Sequence, residues 1–133
     1  MDTMAVPRVL AMLRGFADPL RLRILGLLRH GEMCVGDLVT VLGVPQPTAS
    51  RHLGHLKRAG LIVSRKHGYW TFYQLAPARG AAHGRLIECL EACGREMAEL
   101  ARDARQAARL KERGGCCPQA ARQPAAASGG ESA

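Results

Sequence analysis

Apolar residues in the first third of the chain recur at helical spacings. Val6, Val9, Leu10, Leu13 and Phe16 fall on one face of a helix that ends before Asp18. Asp18-Pro19 then supplies an N-cap followed by proline at the first helical position. The helix it opens runs through Leu20, Leu22, Ile24, Leu25, Leu27 and Leu28 and stops near Gly31. Val35 to Leu42 reads as a short third helix closed by Gly43. Pro47 opens a fourth, with Ala49, Leu53 and Leu56 inward and Gly60 at its C-terminal stop. Two short helices joined by Gly43-Val44-Pro45-Gln46 have the form of a helix-turn-helix.

The period then shortens to two. Leu61-Ile62-Val63 followed by Ser64-Arg65-Lys66 predicts a strand, His67-Gly68 a tight turn, and Tyr69 to Leu75 a second strand. From about Arg79 to Glu112 the helical pattern returns, with Leu86, Leu90, Cys93, Met97 and Leu100 forming one continuous stripe. A single helix of about 30 residues would be about 45 Å long, too long for a small domain to cover. Its stripe is therefore expected to meet a second subunit. Beyond Arg113 the chain is rich in Gly, Ala, Pro, Gln and Ser, the composition of a disordered tail that carries Cys116-Cys117. The expected organisation is a domain over 1–112 and a tail over 113–133.

Charge sharpens this picture. The chain has 133 residues and a formal net charge of +8. Residues 46–75 hold Arg51, Lys57, Arg58, Arg65 and Lys66 and no acid, so five of the eight excess charges sit on the fourth helix and the hairpin. Such a concentration points to an anionic partner, nucleic acid above all. No uninterrupted apolar run reaches the roughly 18–20 residues of a membrane span, and Arg8 and Arg14 break the only early candidate for a secretory signal. Five cysteines, an odd number, fit a closed disulfide framework poorly. The expectation is a cytoplasmic protein with thiols available for metal or redox chemistry and no membrane partner.

The order helix, helix, helix-turn-helix, hairpin, helix is that of a mainly α winged helix-turn-helix with a small β-hairpin. Several segments carry a closer likeness: Asp18-Pro19-Leu20-Arg21-Leu22-Arg23-Ile24-Leu25, Gly31-Glu32-Met33-Cys34-Val35-Gly36-Asp37-Leu38, Gln46-Pro47-Thr48-Ala49-Ser50-Arg51-His52-Leu53 and Leu56-Lys57-Arg58-Ala59-Gly60-Leu61-Ile62. Over about residues 8–76 the chain resembles the metal-responsive ArsR/SmtB repressors, in their arsenic-responsive branch. The resemblance implies a homodimeric DNA-binding repressor held through the terminal helices; one reading helix per chain and the uncovered stripe predict an inverted-repeat operator. A thiol enzyme is the weaker alternative, since no Cys-x-x-Cys stands in a βαβ context and no His-Asp pair flanks a cysteine, so no catalytic activity is expected.

A helix of about thirteen residues fits the major groove, where side chains near its N-terminus reach base edges. Gln46, Thr48, Ser50, Arg51 and His52 lie at that end, Lys57 and Arg58 at the other. Gln pairs with adenine and Arg with guanine, whereas Ser and Thr more often hold phosphates. Arg65 and Lys66 lead into the hairpin turn, where a wing rests on phosphates or the minor groove. The plainer alternative is a solvated basic surface, and for His52 capping or packing within the helix pair.

The thiols suggest the signal. Soft thiolates select thiophilic ions. In arsenite-responsive relatives two cysteines stand in the stretch that corresponds here to Glu32-Met33-Cys34-Val35-Gly36-Asp37-Leu38. Cys34 matches the first, Gly36 replaces the second, and Val39 stands where a further cysteine can occur. Cys116 and Cys117 are the expected completing ligands for As(III) or Sb(III), with Cys89 and Cys93, four apart on the last helix, as an alternative set. A buried, unreactive Cys34, a packing role for Cys89 and Cys93, and oxidation of Cys116-Cys117 are the competing readings. The relatives' zinc constellation of Asp and His has only His83 to match it on the last helix. The expected function is a repressor released from DNA by trivalent arsenic or antimonite; the alternative input is thiol oxidation or another soft metal such as Cd(II) or Pb(II).

Overall fold

The computed structural model describes residues 3–115. In chain order these form α1 (Ala5–Phe16), α2 (Pro19–Leu28), β1 (Met33–Cys34), α3 (Val35–Leu42), α4 (Gln46–Arg58), β2 (Ile62–His67), β3 (Trp70–Leu75), α5 (Ala81–Glu96) and α6 (Ala98–Glu112). The expected tail, apart from its first residues, lies outside the described residues, as do Cys116 and Cys117.

Local chemistry sets the helix boundaries. The Asp18 carboxylate accepts the Leu20 and Arg21 amides at 3.0 Å each, and Pro19 follows it at the first helical position. Such a cap is worth about 1 kcal/mol. Those amide bonds to Asp18, with the charge of Arg21 behind them, hold its pKa below the usual carboxylate value. Gly43 closes α3 in the left-handed region, at φ 69°, which a β-carbon would penalise.

The core gathers around α2. Ile24, Leu25, Leu27 and Leu28 are buried against Leu38, Val41 and Leu42 of α3, Leu53 and Leu56 of α4, and Leu61. The antiparallel sheet has the strand order β1-β3-β2. Its third strand was not expected from the sequence, because two residues are too few to show a period. Met33 pairs with Tyr73 and Cys34 with Phe72, which ties the start of α3 to the hairpin.

The expected single C-terminal helix is two helices. Met97 leaves helical geometry, at φ −109° and ψ 109°, and α6 turns back onto α2 and α3. Leu100 packs over Gly26, where an added β-carbon would stand 3.0 Å from its Cγ. Asp103, 2% exposed, receives both ends of the Arg23 guanidinium at 2.8 and 2.9 Å. Folding back buries apolar groups that a straight helix would leave in water. Leu90 and Leu100 of the stripe are therefore covered by their own chain. The exposed large hydrophobics lie mainly on α1 instead: Met4, Val6, Leu10 and Leu13.

Candidate nucleic-acid interface and thiol site

The helix-turn-helix is α3, the turn at Gly43, and α4. One face of α4 is sealed by Ala49, Leu53 and Leu56, all 0% exposed. At 100° per residue the opposite face carries Pro47, Arg51, Gly54 and Arg58, with Ser50 beside them. Gln46, Ser50, Arg51, Lys57 and Arg58 are exposed and Thr48 is half-buried. These are the donors and acceptors expected at base edges and phosphates.

His52 is placed differently from its neighbours. It lies on the inner flank of α4, with Nδ1 3.4 Å from Arg21 Nη1 and 3.9 Å from Asp18 Oδ2. With Arg21 as donor, the imidazole accepts at Nδ1 and ties α4 to the start of α2. That is the packing alternative, and it directs His52 away from the reading face.

The two hairpin cations also separate. Lys66 is exposed near the tip. Arg65 instead donates to both carboxylate oxygens of Glu32, at 2.7 and 2.8 Å, and its guanidinium lies 4.4 Å from the centre of the Phe72 ring. The bidentate bonds to Glu32 raise its pKa further. Arg65, expected at the wing beside Lys66, thus has its charge matched by Glu32.

Across the sheet Arg65 is the register partner of Phe72, and Phe72 of Cys34. Register partners project to the same face, so Arg65, Phe72 and Cys34 form one row across three strands. Cys34 and Phe72 are 1% and 2% exposed and form their own cluster with Trp70. Cys34 is also the N-cap of α3, its Sγ accepting the Asp37 amide at 3.4 Å. It is disulfide-bonded. A change at this sulfur thus meets the first turn of the helix-turn-helix on one side and the wing on the other.

Cys89 and Cys93 are free thiols on α5, their sulfurs 3.9 Å apart. Burial, and a hydrogen bond with Cys89, push the Cys93 thiol pKa up. Among the described residues no group of three His, Cys, Asp or Glu side chains is placed to hold a metal ion. His83 is buried, accepts the Arg79 amide at Nδ1 (3.1 Å), and has its pKa lowered by burial and by Arg79. Its role is to fix the loop entering α5. Sequence reasoning missed the Glu32–Arg65 and Arg23–Asp103 pairs. Their partners lie 33 and 80 residues apart, and no local spacing signals them.

Residues 18–64 match the model of the family described as "Bacterial regulatory protein, arsR family". The arsenical resistance operon repressor of Escherichia coli is 43% identical over 81 residues, covering 60% of this chain and 69% of that protein. The chain belongs to the ArsR family. An uncharacterized HTH-type transcriptional regulator of Methanocaldococcus jannaschii is 48% identical over 67 residues, 50% of this chain and 75% of that one. Among solved structures, the homodimeric winged helix-turn-helix domain of a possible ArsR-family regulator from Mycobacterium bovis superposes with a TM-score of 0.59 at 29% identity. That match covers 74% of this chain and 92% of that one. The present ArsR-family chain is thus a DNA-binding transcription regulator with a winged helix-turn-helix, from a family of regulators rather than enzymes. No helix among its described residues is long and apolar enough to cross a membrane.

Proposed function

We propose that this chain is a cytoplasmic, homodimeric repressor that binds an inverted-repeat operator and releases it when trivalent arsenic or antimony binds thiolates centred on Cys34. The observation that carries the reading is the position of Cys34, buried at the junction of α3 and the wing. Gln46, Thr48, Ser50 and Arg51 read bases and adjoining phosphates, and Lys57, Arg58 and Lys66 hold the backbone.

Arsenite takes three thiols by exchanging its three hydroxyls, as water, for sulfur. Cys34 supplies one sulfur, and Cys116 with Cys117 are proposed as the other two. Cys89 and Cys93 are dispensable in this reading, since they lie on a separate helix and hydrogen-bond to one another. A complex formed at Cys34 displaces the α3 N-cap and the Arg65–Phe72–Cys34 row together. A tenfold loss of DNA affinity requires about 1.4 kcal/mol of coupling between the two sites.

The second reading is thiol oxidation, favoured by the disulfide-bonded state of Cys34. There two thiols lose two electrons and two protons to an oxidant and release the same DNA. Cd(II) or Pb(II) would engage the same sulfurs. The test is DNA release in reducing buffer with arsenite, set beside release by diamide without metal. Wild type, Cys34→Ser, a chain ending at Arg113, and Cys89→Ser/Cys93→Ser are compared. Arsenite is expected to release the wild type and the Cys89/Cys93 variant but neither of the others. Release by diamide alone selects the oxidation reading; unaltered arsenite release from Cys34→Ser overturns the placement of the site.

A further inference from the structure

We propose that the groove between the C-terminal end of α4 and the base of the wing binds a backbone phosphate of duplex DNA flanking the sequence that α4 reads, with Arg79 as its central cation. The proposal rests on the DNA-binding reading above and adds Arg79, which the sequence pattern did not single out, to the Lys57 and Arg58 already expected at the DNA backbone.

The groove measures about 610 Å³ and takes Lys57 and Arg58 from α4, Ser64 from β2, and Pro77 and Arg79 from the segment after β3. None of its described lining residues is acidic. Elsewhere Arg23, Arg65, Arg85 and Arg95 each have a carboxylate partner. Lys57, Arg58 and Arg79 have no such partner among the described residues. Three cations share one concavity, and a polyanion relieves their mutual repulsion.

Position gives the groove its partner. Arg58 stands seven residues after Arg51, two turns along the same face, about 10 Å further down the helix axis. The groove is therefore continuous with the reading face, and lies where a helix in the major groove runs out onto the phosphate strand. Arg79 is held in place there: its guanidinium lies against Gly60, nearer than any β-carbon would permit. Gly60 at φ 80° thus ends the recognition helix and also admits the arginine across that end. The adjacent Arg79 amide is fixed by His83. A purely structural role for Arg79 beside the carbonyl end of α4 is the competing account.

Affinity on two duplexes separates them. One is the minimal inverted repeat recovered by selection from a random pool; the other extends it by about 10 bp, one helical turn, on each side. Wild type is expected to bind the extended duplex several-fold more tightly. Arg79→Ala should abolish that gain, with a salt slope lower by about one per protomer on the extended duplex. Affinity for the minimal duplex should not change, and Arg79→Lys should retain most of the gain. Equal losses on both duplexes, or no loss on either, overturn the proposal while leaving the DNA-binding reading intact. A wild-type protein that binds neither duplex removes both.

Discussion

Arg65 and Lys66 are adjacent on β2, yet the structure gives them separate tasks. Period-two alternation turns Arg65 toward Phe72 and Glu32, while Lys66 stays in water near the tip. A cation already matched by a bidentate carboxylate has little net charge to offer a phosphate, and freeing it means breaking two charge-assisted bonds. Lys66→Ala should therefore lower the salt slope of DNA binding by about one per protomer and leave the urea midpoint unchanged. Arg65→Ala should leave that slope nearly unchanged but cost about 1 kcal/mol of stability, below the usual range for hydrogen bonds to charged groups because Arg65 is 29% exposed. Anisotropy titrations across salt, paired with urea unfolding, measure both. Equal changes in salt slope for the two variants would refute the division of labour. Sequence alone could not separate them, since Arg65-Lys66 reads as one basic dipeptide and Glu32 is remote in the chain.

The elements divide in the same way between legible and hidden. α1 to α4 and the hairpin are written in local signals: an Asp-Pro start, two stopping glycines and a change of period at Leu61. α3 emerges at its expected bounds, and α4 starts one residue before the expected Pro47, because caps and turns act over a few residues. Two features escaped this reading. β1 exists only through its pairing with β3, and the break at Met97 leaves the spacing of the apolar stripe intact. What decides the break is tertiary: Leu100 finds Gly26, and Asp103 finds Arg23. Asp103→Ala should consequently loosen α6. Removing one partner of this buried pair is expected to cost about 2–3 kcal/mol, moderated because Arg23 is 25% exposed. Arg23→Met combined with Asp103→Leu should recover most of it, as hydrophobic replacements of buried pairs often do. Urea unfolding of the three proteins decides, and a double variant no better than Asp103→Ala would show that α6 needs the ion pair itself.

At the scale of the whole molecule, the fold-back of α6 changes where a partner subunit has to sit. The sequence pattern placed that partner on a long C-terminal stripe, but Leu90 and Leu100 of the stripe are 1% and 6% exposed within one chain. The apolar surface left over is on α1. Val6, Leu10 and Leu13 follow i, i+4 and i+7 spacing and are 67%, 43% and 44% exposed, with Met4 beside them at 64%. A contiguous row of this kind marks an association surface more than a solvated helix face. A dimer through α1 would leave α4 of each protomer free, as simultaneous engagement of two half-sites requires. Leu10→Glu with Leu13→Glu should therefore give a folded monomer by sedimentation equilibrium, because each side chain is already partly in water and adds no buried charge to the monomer core. Such a monomer loses the advantage of two linked reading helices. Its affinity for an inverted repeat should fall by about 100-fold or more, to the level of a single half-site. If the variant remains dimeric at micromolar concentration, the partner does not cover α1, and the outward face of α5 that carries Cys89 becomes the surface to test.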